Sequence, residues 1–207
     1  MFFHLANAQN IGGVVNIYTP ITDISGCAHH ILEVESAQGF AVGDEVLLIQ
    51  MQGVSINLSN SSSFGDIIGF NSVGTYEMNR IANIVGNQVQ LQFKSFSNFD
   101  VNGKVQLIRV PEYVDATVTS TLTCQPWNGA TGGVLVIDVS GTLTLESDLD
   151  VSGKGFRGGI MVDANAAPYG ELGYFYAPNP VVSGQKGEGI AIVPLDKSYG
   201  RGKAANG

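Results

Sequence analysis

The sequence has few basic residues and no long apolar run, and both absences exclude classes of partner. Ten Lys and Arg residues stand against 18 Asp and Glu residues, which gives a formal net charge of −8. An acidic surface repels nucleic-acid phosphates and anionic lipids, so neither is expected as a partner. No segment approaches the roughly 18 consecutive apolar residues of a membrane-spanning helix, so membrane insertion is not expected either.

The sequence also lacks the patterns of helices and of common catalytic sites. No segment of about 12 residues or more has a sustained 3.6-residue period with caps. The motifs G-x-S-x-G and H-E-x-x-H are missing. A G-x-G-x-x-G pattern at Gly153–Gly158 is followed by no helix and belongs to no βαβ unit, so it does not predict a dinucleotide site. We therefore predict no catalytic residues, no enzyme activity and no organic cofactor.

Cysteine is scarce, because the chain has only Cys27 and Cys124. The two residues have neither metal-ligand spacing nor the C-x-x-C form of redox proteins. An even number of cysteines in an exported chain suggests one disulfide, which here would join Cys27 to Cys124 and close a long loop. Two separate buried thiols are the alternative that the residues leave open.

Strand patterns, in contrast, are frequent. In Gln88–Phe93 the apolar residues alternate strictly with glutamines, which predicts one buried and one solvated face, as in an antiparallel sheet. A turn signal at Val85–Asn87 precedes this run. Similar runs lie at Val14–Tyr18, His30–Val34, Glu45–Gln52, Thr75–Ile84, Lys104–Val110, Leu135–Val139, Thr142–Leu145 and Leu149–Val151. Short strands separated by turns indicate an all-β chain, and we expect residues 10–125 to form a β domain, barrel-like or sandwich-like, of antiparallel strands.

The tetrapeptide Asp-Val-Ser-Gly occurs twice, at Asp138–Gly141 and, twelve positions later, at Asp150–Gly153. A repeat of short strand and glycine corner is typical of a β-solenoid. In that interpretation the valines of both copies point inward at equivalent positions, and both glycines form equivalent corners. An antiparallel hairpin with Glu146–Asp148 at its turn fits the same residues. Residues 126–159 are therefore predicted to be a solenoid-like or a hairpin segment.

The composition changes at both ends of the chain. Residues 6–8 (Ala-Asn-Ala) follow apolar residues in the form of a signal-peptidase site, so residues 1–9 are interpreted as a signal-peptide remnant, with a frayed N-terminus as the alternative. Residues 1–152 hold 15 of the 27 glycines, and residues 153–207 hold the other 12. We therefore expect residues 160–207 to form a Gly-rich and aromatic-rich loop segment that continues in a longer protein.

Several blocks of the sequence are distinctive as a set, among them GFAVGDEVLLIQMQG and DVSGKGFRGG. They lie at Gly39–Gly53, Ser61–Ile67, Tyr76–Leu91, Lys104–Tyr113, Trp127–Leu145 and Asp150–Gly159. Together they resemble the N-terminal region of large secreted surface proteins of Bacteroidetes, a mostly uncharacterised family similar to proteins with gliding-motility-associated or type IX secretion sorting domains. The resemblance covers about residues 10–207. It implies a secreted, cell-surface location and no particular activity.

Aromatic residues form the first group of candidate site residues. Trp127 and the cluster of Tyr174, Phe175 and Tyr176 are the platforms on which a sugar could stack or a partner protein could dock. Packing of a loop onto a sheet is the alternative.

Carboxylates form the second group. Asp148 and Asp150 lie two positions apart and share a predicted strand face, and Asp138 would join them if the repeated tetrapeptides stacked one coil on the next. Calcium is the ion that such oxygen ligands would bind, and solvated acidic positions are the alternative.

Three functions are compatible with these patterns. The first is a non-catalytic extracellular surface module, structural or adhesive, whose partners are other surface or matrix proteins, glycans or copies of itself. The second is a subunit of an extracellular fibre that assembles through edge strands. The third is a carbohydrate-active β-helix protein, a polysaccharide lyase or a glycan-binding protein, but the low number of basic residues counts against a lyase. The first is the function that the sequence predicts.

Overall fold

The computed structural model describes residues 8–26, 30–160, 173–178 and 184–203. Strands and isolated bridges make up 40% of the described residues and helix 3%, so the all-β prediction is confirmed. Within the described ranges, none of the helices has the length and apolar character needed to cross a membrane.

Thirteen strands are present in the described residues, and their bounds follow the chain. They are β1 (Gln9–Val14), β2 (Ile17–Ser25), β3 (Ile31–Val34), β4 (Glu45–Gln50), β5 (Ser55–Ile56), β6 (Ile67–Gly69), β7 (Tyr76–Val85), β8 (Gln88–Leu91), β9 (Val105–Val110), β10 (Glu112–Tyr113), β11 (Ala116–Thr123), β12 (Asp138–Val139) and β13 (Leu143–Leu145). Two short 3-10 helices span Val101–Gly103 and Leu195–Lys197.

Contacts divide the chain into two units, each built from separated stretches, whereas the sequence predicted consecutive segments. The first unit comprises Met1–Ile49, Tyr76–Ser97 and Gln106–Gly155, and the second comprises Gln50–Thr75, Asn98–Val105 and Phe156–Gly207.

Six strands of the first unit form a closed barrel in the order β2, β3, β8, β7, β4 and β9. Antiparallel pairs join β2 to β3 and β9, β3 to β8, and β7 to β4 and β8. The predicted turn is the β7–β8 hairpin, in which Val85 pairs with Gln88 and Gly86 has a φ of 60°. Val89 and Leu91 of β8 are buried and Gln88 and Gln90 are exposed, as the alternation predicts. Phe93 lies beyond the end of β8 and is 58% exposed, so its predicted place on the buried face is wrong.

Strands β4 and β9 are buried on both faces, because a second apolar cluster lies on the side opposite the barrel interior. Its buried members are Leu47, Ile108 and Val110, against which Tyr18, Ile49, Val134 and Val136 pack. Continuous apolar runs are what a strand buried on both faces requires.

Side-chain amides hold residues 132–136 beside the barrel, although this segment forms no strand. Gln106 of β9 is fully buried; its Nε2 donates to the carbonyl oxygen of Gly132 at 3.1 Å, and its Oε1 accepts from the Gly132 N–H at 2.9 Å. Asn16 bonds Val136 in the same way, donating to its oxygen at 2.6 Å and accepting from its N–H at 3.2 Å. Each side-chain amide thus supplies the one N–H donor and the one carbonyl acceptor that the backbone of a paired strand would otherwise supply.

Three strands of the first unit form a parallel sheet in the order β1, β11, β13. Ala116 of β11 pairs with Leu143 of β13, and a further parallel bridge joins Leu122 to Leu149. Strands β10 and β12 are also parallel. The core under these strands consists of Ile11, Ala116, Val118 and Leu122, with Val15, Tyr113, Leu135, Ile137, Val139 and Leu143 packed against it.

The hairpin interpretation is wrong. Leu145 pairs with Val118 and Leu149 pairs with Leu122, so the residues on both sides of Glu146–Asp148 run along β11 in one direction. The chain does not reverse there.

The sequence separation of the two tetrapeptides is not the separation at which residues of neighbouring parallel strands pair. Asp138 pairs with Glu112, which lies far earlier in the chain, and not with Asp150. Val139 packs against the core of the parallel strands, whereas Val151 is exposed. Of the two closing glycines only the second has a positive φ. The equivalence predicted for the two tetrapeptides is therefore wrong. The tetrapeptides are twelve positions apart, whereas parallel pairing joins residues separated by more than twice that number.

The second unit contains the antiparallel pair β5–β6 and a small apolar core of Val54, Ile56 and Ala191. Val54 and Ala191 also form a parallel bridge. In the described part of residues 160–207, regular structure is limited to isolated bridges and one 3-10 helix. The loop segment proposed for these residues stays a prediction.

Candidate functional site

Trp127 is buried, with 3% of its surface exposed. Its backbone N–H donates to the carbonyl oxygen of Lys154 at 2.8 Å. A ring enclosed in this way cannot stack on a ligand, so the prediction of an aromatic platform at Trp127 is wrong. The single tryptophan is instead a core residue of the first unit.

The cluster of Tyr174, Phe175 and Tyr176 is half-buried in the second unit. The Lys197 Nζ lies 3.8 Å from the centroid of the Phe175 ring, and the Arg201 guanidinium carbon lies 4.4 Å from that of Tyr174. Cations of the same chain therefore cover one face of each of these two rings. This arrangement favours the packing alternative.

Lys186 ties the backbone around this cluster together. Its Nζ donates to the carbonyl oxygens of Tyr174, Gly200 and Gly202 at 3.0, 2.8 and 2.6 Å and lies 4.8 Å from the centroid of the Phe64 ring. Burial lowers the pKa of Lys186. Three carbonyl oxygens replace the water around the ammonium, so this group supports the loop segment from within.

Asp148 and Asp150 lie on the segment that follows β13. The carbonyl oxygen of Asp148 accepts from the Leu122 N–H at 2.9 Å, and Oδ1 of Asp150 accepts from the Ser152 N–H at 2.8 Å. Hydrogen bonding by Ser152 lowers the pKa of Asp150. Both side chains are exposed. In the described part of the chain they do not meet the third predicted ligand.

Asp138, the third predicted ligand, belongs to a different carboxylate cluster. One carboxylate oxygen of each of Glu45, Glu112 and Asp138 lies within 4.8 Å of the others. Parallel pairing of β10 with β12 sets Glu112 opposite Asp138, and Glu45 begins β4. Sequence reasoning missed Glu45 and Glu112, because no local pattern relates them to Asp138; only the pairing of distant strands does.

Arg80 of β7 neutralises part of this cluster. Its Nη1 and Nη2 donate to the two carboxylate oxygens of Glu112 at 2.8 and 2.7 Å, and Nη1 also donates to the Gly43 carbonyl oxygen at 2.6 Å. The hydrogen bonds from Arg80 lower the pKa of Glu112. Glu45 pairs with Arg80 in the β4–β7 register.

The pKa of Glu45 is shifted in the opposite direction to that of Glu112. Burial, followed by the negative charges of Asp138 and Glu112, raises the pKa of Glu45, and Arg80 opposes this only in part. Its Oε2 is enclosed and accepts no hydrogen bond from the described residues. Chemically, the cluster retains a proton on Glu45 at a higher pH than an ordinary glutamate would.

We predict that Glu45→Gln stabilises the protein at neutral pH. A carboxyl group whose pKa is raised by folding binds protons more tightly in the folded state, so its ionisation opposes folding as the pH rises above about 4. The melting temperature of the variant should exceed that of the parent at about pH 7, and the difference should shrink toward about pH 4.

The control for this prediction is Glu112→Gln, because the pKa of Glu112 is lowered. That variant should melt below the parent at neutral pH, and its deficit should also shrink in acid. Thermal melts that show the same sign for both variants would contradict the assignment.

Cys124 is buried and forms no disulfide with any described residue. Burial raises the pKa of its thiol. Cys27 lies outside the described residues. The structure offers no support for the disulfide, and the pairing stays a prediction.

No family model matches the chain, and no curated protein matches it. Among solved structures, the chain is similar to the tailspike of Acinetobacter baumannii bacteriophage AP22, determined in complex with A. baumannii capsular saccharide. The identity is 12% and the TM-score 0.33, over 63% of this chain and 23% of that one. It is also similar to the tailspike of Pseudomonas phage phi297, at 13% identity and a TM-score of 0.32, over 75% of this chain and 37% of that one. The chain thus spans well under half the length of either protein, and neither is a template for its fold or its site.

Proposed function

We propose that the chain is a non-catalytic structural module of an extracellular surface protein, in which the small barrel begins a stack of parallel coils. A coil here means the residues from one strand of the parallel sheet to the next. Such stacks extend a protein in one direction, since each coil contacts only its neighbours.

The observation that carries the proposal is the nearly constant spacing of the parallel pairs that follow β10. Glu112 pairs with Asp138. Ala116 pairs with Leu143, and Leu122 with Leu149, and the sequence separation is the same in these two pairs and only one position longer than in the first. These pairs all belong to one coil and its neighbour, and the parallel register in which the two stack is the local arrangement that a β-solenoid repeats.

Burial along the stack supports the same proposal. Ile11 of β1, Val118 of β11 and Leu145 of β13 pair in one column across the sheet. The first two side chains are buried and the third is exposed. A side chain in the column is therefore covered where another coil follows it, as expected for stacked layers.

The extracellular location and the partners are part of the proposal. They are supported by the resemblance of the sequence blocks to secreted surface proteins and by the acidic composition. Surface or matrix proteins, and glycans, are the partners proposed.

A fibre built from copies of the chain is the competing function, since β13 is the last strand in the order of the parallel sheet. The segment after β13 carries Glu146, Asp148 and Asp150, all exposed. Two copies paired through this segment would bring like charges together, which destabilises strand pairing. The charge pattern therefore favours the module over the fibre.

Duplication of one coil tests the proposal. A second copy of residues 116–142, which make up one coil from Ala116 to the residue before its partner Leu143, is inserted between Thr142 and Leu143. We expect a folded protein with one cooperative melt, a melting temperature within about 5 °C of the parent, and a stronger β signal in circular dichroism.

The control inserts carry the same residues in scrambled order, or a segment half as long that breaks the register. Both should lower the melting temperature far more than the duplication does. If the duplication is as damaging as the scrambled insert, the stack of coils is refuted. Release of product from a polysaccharide by the purified protein would refute the non-catalytic part.

A further inference from the structure

The last coil leaves one edge of the parallel sheet open in the described part of the chain. The carbonyl oxygens of Thr142 and Asp148 and the N–H groups of Glu146 and Asp150 bond β11. Because successive backbone groups of a paired segment point to opposite sides, the N–H groups of Leu143 and Leu145 in β13, and of Leu149 in its parallel bridge, point away from β11. This edge is a template for one more strand.

Side-chain burial shows what kind of segment fits the edge. Val118 and Leu122, which lie under β13 and the segment after it, are each 0% exposed. Their partners one coil later, Leu145 and Leu149, are 57% and 48% exposed. A depression of about 370 Å³ runs along Leu145–Leu149. Apolar side chains of an added strand would cover the two leucines as β13 covers β11.

Charge shows the chemistry of the outer face of that segment. Glu146 and Asp148 are exposed and lie between the two leucines in sequence, and Asp150 continues the row. Among the described residues, neither Glu146 nor Asp148 belongs to an ion pair, so both charges are open to a cation of a bound segment. Opposite charges on neighbouring strands stabilise pairing, whereas like charges oppose it.

We propose that the coil-end strip, residues 145–151, binds an extended polypeptide segment in parallel register that alternates aliphatic residues with Lys or Arg. The aliphatic residues cover Leu145 and Leu149, and the cations lie beside Glu146 and Asp148. The inference rests on the proposed function, because it takes the pairing of β13 with β11 as the pattern for the next strand. It adds the chemistry of the segment that the strip accepts.

The probe is the peptide acetyl-Val-Thr-Val-Lys-Val-Lys-Val-amide with a fluorescent label. Fluorescence anisotropy should detect saturable binding to the full chain that weakens as salt is added, because the contacts are partly ionic. Hydrogen exchange should show new protection at the amides of Leu145 and Leu149, with no change at residues of the barrel.

Two variants and a matched control make the measurement specific. Glu146→Gln with Asp148→Asn should weaken binding about three- to tenfold. Leu145→Ser with Leu149→Ser should abolish it. The control, Asp23→Asn with Glu35→Gln, removes the same charge from exposed positions of the barrel and should bind as the parent does.

Several outcomes would overturn the inference. They are no saturable binding, equal binding of a peptide with Glu in place of Lys, or equal weakening by the control. Self-association that depends on Leu149 would identify a second copy of the chain as the occupant instead. If the coil duplication folds and the peptide does not bind, the proposed function stands and this inference fails. If the duplication misfolds and the peptide binds at the strip, the proposed function fails and this inference stands.

Discussion

Val118→Asp is expected to lower the free energy of unfolding by at least about 4 kcal/mol, a large fraction of the stability of an ordinary domain. Val118 is completely buried between Ile11 and Leu145 in the column of the parallel sheet. No cation belongs to the apolar core around it, as far as the chain is described. An ionised carboxylate there would lose its hydration without gaining a partner.

The measurement is urea-induced unfolding followed by far-UV circular dichroism. Leu145→Asp is the matched control, because Leu145 occupies the same column one coil later and is exposed. Its cost should stay below about 1 kcal/mol. Equal losses for the two variants would show that the column is not the packing unit of the sheet.

Gln106→Leu is the second change with a large expected effect, about 2–6 kcal/mol, because two buried backbone groups each lose a partner worth about 1–3 kcal/mol. Gln106 is fully buried and bonds both the N–H and the carbonyl oxygen of Gly132. Leucine has a similar volume, so the loss would report hydrogen bonding and not a cavity. Thermal and urea unfolding would both measure it.

Gln90→Leu is the control for this change. Gln90 lies on β8, on the exposed side of the alternation. Its replacement should alter stability by about 0.5 kcal/mol or less. A Gln106→Leu protein as stable as the control would contradict the role of the buried amide in holding residues 132–136.

The barrel was the part of the fold most open to prediction. Alternation in Gln88–Leu91 and the turn at Gly86 are local properties of the chain, so they identified a hairpin with one wet face correctly. The burial of β9 on both faces was not predicted. Its second cover comes from residues 132–136, which are distant in sequence and are held by amide side chains instead of strand pairing.

The candidate sites depended still more on tertiary structure. The sequence suggested Trp127 as a binding platform, because a single tryptophan in a sequence does not show whether its ring is exposed. In the structure the ring is buried. Glu45, Glu112 and Asp138 come together only because β10 pairs with β12 next to the start of β4. No spacing within one segment could have shown that.

The sequence by itself determined that the chain is all-β and where many of its strands lie, because alternation, β-branched residues and glycine turns act over a few residues. The doubled Asp-Val-Ser-Gly shows the limit of such reasoning. In any extended chain, side chains that are an even number of residues apart point to the same face, so the pattern is compatible with several folds. Only the tertiary structure decided that Asp138 pairs in parallel with Glu112 and Leu143 with Ala116, since the partner of a strand is set by where the rest of the chain returns.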